Sequence, residues 1–209
     1  MKVTAFGDAA VLVEFEQRID ERIVASALSI ADAWESEGLG DAVPAYASVL
    51  LRFDPLVLSP KAAASRARLI AENRREATVP AAGRLIDVPT RYDGPDVAEV
   101  AALSGLTSAE LIALHAGREY TAFFLGFMPG FAYCGTLDPR IVAPRLATPR
   151  PRVPAGSVAI ADGQTAVYPF DSPGGWRLIG RTEVRAFDAS ADPPALIAAG
   201  DRIRFVPVT

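Results

Sequence analysis

The sequence predicts an α+β domain over residues 1–82 followed by a mostly-β domain, closed or sandwich-like, over residues 83–209. Three observations predict it. The first 80 or so residues read strand, strand, helix, strand, helix, the order of a small sheet with helices packed on one face. A polar stretch from Glu72 to Gly83 then reads as a linker. Beyond it, after two short helices, the pattern changes to short β segments cut by Pro and Gly. A length of 209 residues suits either one large domain or two small ones, and the linker favours two.

Each element has a local cause. Lys2 to Phe6 and Ala10 to Phe15 are strands separated by a Gly7-Asp8 turn. Asp20 is a predicted N-cap for a helix that carries Ile23, Ala27, Ile30, Ala31 and Trp34 on one face and ends near Gly38. Ala45 to Phe53 is a third strand, and Ser59-Pro60 supplies a cap and a first-turn proline for a second helix with Ala63, Ala67 and Ile70 inward. In the second domain Arg84 to Tyr92 is a strand, followed by helices over Asp96–Leu103 and Thr107–Gly117. Thr107 and Glu110 form a capping box for the latter. The remaining predicted strands are Tyr120–Phe127, Ser157–Ala161, Thr165–Tyr168, Trp176–Gly180, Glu183–Phe187 and Arg202–Val208.

Composition narrows the function classes. Half the residues are hydrophobic and 22% are charged, the profile of a globular protein. No apolar run approaches the roughly 20 residues that span a bilayer. The N-terminus, with Asp8 and Glu14 in its apolar stretch, lacks a signal peptide's arrangement, so a cytoplasmic location is expected. One cysteine, Cys134, and one histidine, His115, make a His/Cys zinc site improbable, and no metal is expected in this chain. The net charge of -4 argues against nucleic acid as a partner. Within it lies an asymmetry: from Pro139 to Arg181, six arginines face two aspartates, so that block is +4 and the remainder -8. The block therefore reads as a surface built to meet anions.

Several segments could carry chemistry, each with a structural alternative. Gly126-Phe127-Met128-Pro129-Gly130-Phe131-Ala132-Tyr133 places a Pro-Gly turn between aromatics, either a packed turn at a barrel edge or part of a site. Pro144-Arg145 and Pro149-Arg150-Pro151-Arg152 alternate stiff prolines with guanidinium groups suited to carboxylate or phosphate, or else form a solvated connection. Pro173-Gly174-Gly175 offers backbone donors to an anion, or is a plain hairpin loop. His115 is the natural proton-transfer group near neutral pH, but in a helix's last turn it equally complements the dipole. Cys134 reads as a small apolar filler. No phosphate loop of the GxxxxGK type, GxGxxG turn or acidic metal cluster is present.

Taken together, His115, Tyr120, the run Leu125–Tyr133, Pro144-Arg145, Pro149-Arg150, Val153-Pro154-Ala155-Gly156-Ser157, Gln164-Thr165 and Ser172–Trp176 with Gly180-Arg181-Thr182 resemble the signature of one family. It is the family of B subunits of bacterial ATP-dependent 5-oxoprolinases, also called allophanate hydrolase subunit 1. Gly7–Phe15 is similar to that family's opening strand, so the resemblance spans the chain.

The resemblance implies a cyclophilin-like barrel as the second domain. It implies a C-type barrel subunit and an A-type subunit as partners, in a complex that hydrolyses 5-oxoproline to glutamate with ATP and Mg. It also implies that the chain alone is inactive and that the active site lies where two barrels meet. On that chemistry, Arg145, Arg150 and Arg181 are expected around the substrate carboxylate and a phosphoryl group. Gly174 and Gly175 are expected as backbone donors, and Gln164 and Thr165 at the amide. His115, with Tyr120 or Tyr133, is the expected proton-transfer or orienting group. A lactam carbonyl is a poor electrophile, and phosphorylating its oxygen would activate the ring carbon, which is the expected use of ATP. The same family contains an inhibitor of a sporulation histidine kinase, and its older name points to urea or allophanate metabolism; these are the competing expectations.

Overall fold

The computed structural model describes residues 1–74 and 83–209. The chain forms two compact units, Met1–Ala82 and Gly83–Thr209. Most of the predicted linker lies outside the described residues; Glu72 and Asn73 at its start belong to a helix.

In the first unit, β1 (Lys2–Ala5), β2 (Ala10–Glu14), β3 (Ala42–Pro44) and β4 (Ser48–Arg52) form an antiparallel sheet in the order β1-β2-β4-β3. Helices α1 (Glu21–Ser36) and α2 (Pro60–Asn73) pack on it, and their starts are set as the sequence predicts. The Asp20 carboxylate accepts from Arg22 N at 2.9 Å, and Ser59 Oγ accepts from Ala62 N at 3.3 Å ahead of Pro60. Val24, Ala27, Ala31 and Trp34 give α1 its buried stripe at spacings of three and four, with Val24 in the place expected of Ile23. Trp34 fills the core beside Val11, Val13, Val49 and Leu51, and its ring N–H donates to Arg52 O at 2.9 Å, which answers its only polar atom.

The second unit contains β5 (Leu85–Thr90), α3 (Val97–Leu103), α4 (Ser108–Ala116), β6 (Glu119–Leu125), β7 (Ala132–Gly135), β8 (Arg150–Val153), β9 (Ser157–Ala161), β10 (Gln164–Val167), β11 (Ser172–Gly174), β12 (Arg177–Arg181) and β13 (Arg202–Pro207). Seven of these strands form one sheet, β12-β9-β10-β7-β6-β13-β5, antiparallel except for the β13–β5 pair. Its two edges meet: Arg91, just past β5, and Arg181 of β12 exchange backbone hydrogen bonds of 2.9 Å in both directions. The sheet is thereby nearly closed into a barrel, which removes most of its free edge.

Strand alternation sorts side chains onto two faces. All seven strands contribute to one core, among them Val88, Ile160, Val167, Ile179, Ile203 and Phe205, which packs with Val97, Val100 and Leu111 of the helices. On the opposite face, the small side chains Ala159, Ala161 and Ala166 lie under Phe131, Tyr168, Trp176 and Leu178, with Val153 of the two-stranded ribbon β8–β11. No single helix among the described residues is long and apolar enough to cross a membrane.

Four strands depart from the sequence reading: β3 (Ala42–Pro44) precedes the segment Ala45–Phe53 read as a single strand, and three lie in the second unit. β7 follows the aromatic turn, while β8 and β11 lie inside segments read as Pro-rich connection and glycine turn. Pro151 and Pro173 sit in a ribbon of only two strands, where each strand has an unpaired edge and a missing N–H breaks no ladder. Conversely, Glu183–Phe187 is not a strand; it holds only a bridge between Phe187 and Ala195.

Candidate functional site

The structure divides the sequence-predicted site residues into three settings, all within the second unit. The first is a closed polar chain in the core. The capping box at Thr107 and Glu110 starts α4, whose last turn places His115 wholly inside. There His115 Nδ1 lies 2.8 Å from the Tyr92 hydroxyl and Nε2 lies 2.9 Å from Thr165 Oγ1, while the Tyr120 hydroxyl donates to His115 O at 2.8 Å. Hydroxyls can donate or accept, so either imidazole tautomer satisfies both nitrogens. Burial holds the His115 pKa down to about 3, so the ring is neutral near pH 7. It therefore neither complements the helix dipole with a charge nor offers a nitrogen to a ligand. His115, Tyr120 and Thr165 brace α4 against β6 and β10, where the sequence reading expects proton transfer and amide contacts.

Gln164 is buried too. It pairs with Gly135 and Ala161 in register, and its side-chain Nε2 has no acceptor among the described residues. Cys134, inside the barrel, has its thiol pKa pushed up by burial, consistent with an apolar filler.

The second setting is the aromatic face. Phe131 makes edge contacts with Phe127, Tyr133, Tyr168 and Trp176 at centroid distances of 4.9–5.6 Å, and Tyr133 stacks on Phe124 at 4.5 Å. The Arg145 guanidinium lies 5.8 Å from the Trp176 ring centroid, while its Nε donates to Asp162 at 2.8 Å. Gly130 takes the positive φ, 78°, that the Pro-Gly pattern predicts. Phe127 has φ 69° as well, and Met128 N donates back across it to Gly126 O at 2.8 Å, a γ-turn centred on a bulky residue. Phe127 is 62% exposed.

Gly174 and Gly175 border this face, and packing requires a glycine only at Gly174. A side chain at Gly174 would run into the Tyr168 hydroxyl and Val153, and Gly175 O accepts from Leu146 N at 2.7 Å, tying the preceding loop down.

The third setting is an open groove of about 600 Å³ between the loop after β5, β8 and the end of β12. Arg150, Arg152 and Arg181 line it, with Asp93, Ser157, Thr182 and Glu183. Arg150 is structural: it donates to Asp96 at 2.6 Å, and the other Asp96 oxygen accepts from Leu178 N at 2.6 Å. Asp96, nearly inaccessible, was legible only as a helix start; its side chain makes no cap hydrogen bond and clamps β8 and β12 instead.

The basic block as a whole is compensated. Its arginines pair with Asp138, Asp162, Asp96, Asp171, Glu99 and Asp93, and four of these acids come from outside the block. The net positive surface expected from the sequence is therefore absent, because folding brings the acids of residues 93–99 and Asp138 against it. Tyr92, Asp93 and Glu183 carry no local motif and escape a sequence reading. Among the described residues, no group of three or more His, Cys, Asp or Glu side chains could hold a metal ion.

Comparisons with known proteins follow the same lines. The model of the family described as carboxyltransferase domain, subdomain C and D, matches residues 1–197. Along its full length the chain is 34% identical to the 5-oxoprolinase B subunit of Bacillus subtilis (strain 168), covering 93% of that protein. The crystal structure of TTHA0988 superimposes with a TM-score of 0.82 at 38% identity over 96% of this chain, which spans 40% of that longer protein. The Kluyveromyces lactis urea carboxylase structure shares the fold, with a TM-score of 0.77 at 20% identity, over 99% of this chain and 22% of that one. With nearly its whole length matched by both the family model and a curated relative, the chain belongs to the family of 5-oxoprolinase B subunits, which is built on carboxyltransferase subdomains C and D.

Proposed function

We propose that this chain is the B subunit of an ATP-dependent 5-oxoprolinase complex and that, with A-type and C-type subunits, it hydrolyses 5-oxo-L-proline to L-glutamate. The observation that carries this reading is the likeness, along the whole chain, to a 5-oxoprolinase B subunit. The geometry supports a share in a site rather than a whole one. Arg145 is exposed, is held by a single carboxylate oxygen and lies over Trp176, with Tyr133 at the same ring. That combination suits a small planar ring with one carboxylate: the guanidinium takes the charge and the aromatic edges take the ring. Arg150 and Arg181 lie along the neighbouring groove. His115, Tyr120 and Thr165 act as positioning residues that fix β6 and β10.

The described residues do not fit Mg–ATP. Among them, no group of carboxylates could hold the metal ion. The nucleotide is therefore assigned to one of the partners, and a cytoplasmic location goes with its use. Co-expression with candidate A-type and C-type partners, followed by measurement of glutamate formed from 5-oxoproline with and without ATP, tests the proposal. Activity is expected only in the complete mixture with ATP, and it should fall at least about tenfold on Arg145→Gln, the loss of one charge-assisted contact. An inactive mixture, in which the chain instead suppresses autophosphorylation of a sensor histidine kinase, overturns it.

A further inference from the structure

The arginine–carboxylate pairs of the described residues differ in geometry. Arg66 with Glu37, Arg140 with Asp138 and Arg204 with Asp87 each present two nitrogens to two carboxylate oxygens at 2.6–3.0 Å, the two-pronged arrangement that makes such pairs strong. In the groove the pattern differs. Arg152 brings Nε to 2.8 Å and Nη2 to 2.6 Å of the same oxygen, Asp171 Oδ2. Arg181 likewise brings Nε to 2.9 Å and Nη2 to 2.8 Å of Asp93 Oδ2. Both arginine side chains are more than half exposed, at 75% and 58%. Exposed pairs of this sort contribute little to stability. A ligand carboxylate able to offer both oxygens would replace either aspartate at its guanidinium, and Asp171 would keep its other bond, in which Oδ1 accepts from Ala155 N at 2.8 Å.

Glu183 completes the pattern. It is exposed, lines the same groove two residues beyond Arg181, and has no ion-pair partner among the described residues. The groove thus presents two exchangeable sites for carboxylates and one carboxylate open to a cation. We propose that it binds an α-amino dicarboxylate, with the two acid groups at Arg152 and Arg181 and the ammonium at Glu183.

This inference rests on the functional reading above for its place in the reaction. 5-Oxoproline carries one carboxylate and a neutral lactam. Adding water across the ring C–N bond turns the carbonyl into a second carboxylate and the nitrogen into an ammonium group. Those are the two charges for which the groove has complements and the substrate has none, so the groove takes the product, glutamate, as it forms.

The test is titration of the intact chain, and of the assembled complex, with L-glutamate, glutarate, 4-aminobutyrate and 5-oxo-L-proline, followed by calorimetry and by NMR. Glutamate should bind tightest, and glutarate and 4-aminobutyrate, each lacking one charge, about tenfold more weakly. Arg152→Gln and Arg181→Gln should each weaken glutamate about tenfold. Glu183→Gln should weaken glutamate and 4-aminobutyrate while sparing glutarate. Independently of any variant, the amide signals of Ser157, Thr182 and Glu183 should shift on adding glutamate to the unaltered chain. Equal binding of glutamate and glutarate, shifts confined to other residues, or no binding overturns the inference. If the complex turns over 5-oxoproline without selective glutamate binding, this inference alone fails. Selective glutamate binding in a complex that does not turn over 5-oxoproline overturns the functional reading and supports the ligand class of the groove.

Discussion

The Tyr92–His115–Thr165 chain and the Arg152–Arg181 groove belong to the same β domain, and both are rich in groups that a chemist would nominate for catalysis. They differ in how completely the fold answers them. Inside the barrel each ring nitrogen of His115 has a partner within 2.9 Å, and burial removes its charge. In the groove Arg152 and Arg181 are each answered by one oxygen of an exposed aspartate, and solvent reaches the rest. A titratable side chain with every valence met by the protein acts on the structure; one partly met at the surface can exchange its partner for a ligand. The difference lies in burial and hydrogen-bond geometry rather than in residue type.

That contrast can be broken most forcefully at His115. Replacing it with Leu leaves the hydroxyls of Tyr92 and Thr165 without their partner in the core and should lower stability by about 2–4 kcal/mol in denaturant unfolding. A normally stable variant that loses only turnover of the complex would return His115 to catalysis. The same residue carries a pH signature. Its folded-state pKa, about 3, lies below the ordinary 6.5, so as pH falls the unfolded chain takes up the proton first. The contribution is fully present above about 6.5 and is lost progressively down to about 3, at up to about 1.4 kcal/mol per pH unit. The Leu variant should lack that component of the slope.

The arginines give the next largest effect. Arg150→Ala leaves the buried Asp96 carboxylate without its cation and should cost about 3 kcal/mol. Arg152→Ala, at an exposed pair, should cost under about 1 kcal/mol. Similar thermal shifts for the two would erase the distinction between structural and exchangeable arginines.

The smallest effect concerns Phe127. At an ordinary position Ala is more stabilising than Gly, but at φ 69° the order should invert, with Phe127→Gly more stable than Phe127→Ala by about 1 kcal/mol. The usual order in calorimetric melting would show that no backbone strain resides there.

The helix caps at Asp20, Ser59 and Thr107, the apolar stripes of α1 and α2, and the strand Ser157–Ala161 were legible because their causes lie within a few residues of one another. β8 and β11 were hidden because prolines argue against strands in general, whereas a two-stranded ribbon tolerates them at its edges. Family membership was legible for a different reason: many short motifs in fixed order specify a relative even when none specifies a reaction.

By itself the sequence determined the α+β class with its barrel-like sheet, the local starts of the helices, and a set of candidate residues whose chemistry suits a site: His115, Tyr133, Arg145, Arg150, Gly174 and Arg181. Only the tertiary structure decided which of them face solvent and which have been answered from elsewhere in the chain. Asp96 meets Arg150 across 54 residues, Thr165 meets His115 across 50, and Asp93 meets Arg181 across 88. Charge compensation and burial are properties of neighbours in space, and no local pattern encodes a neighbour that far along the chain.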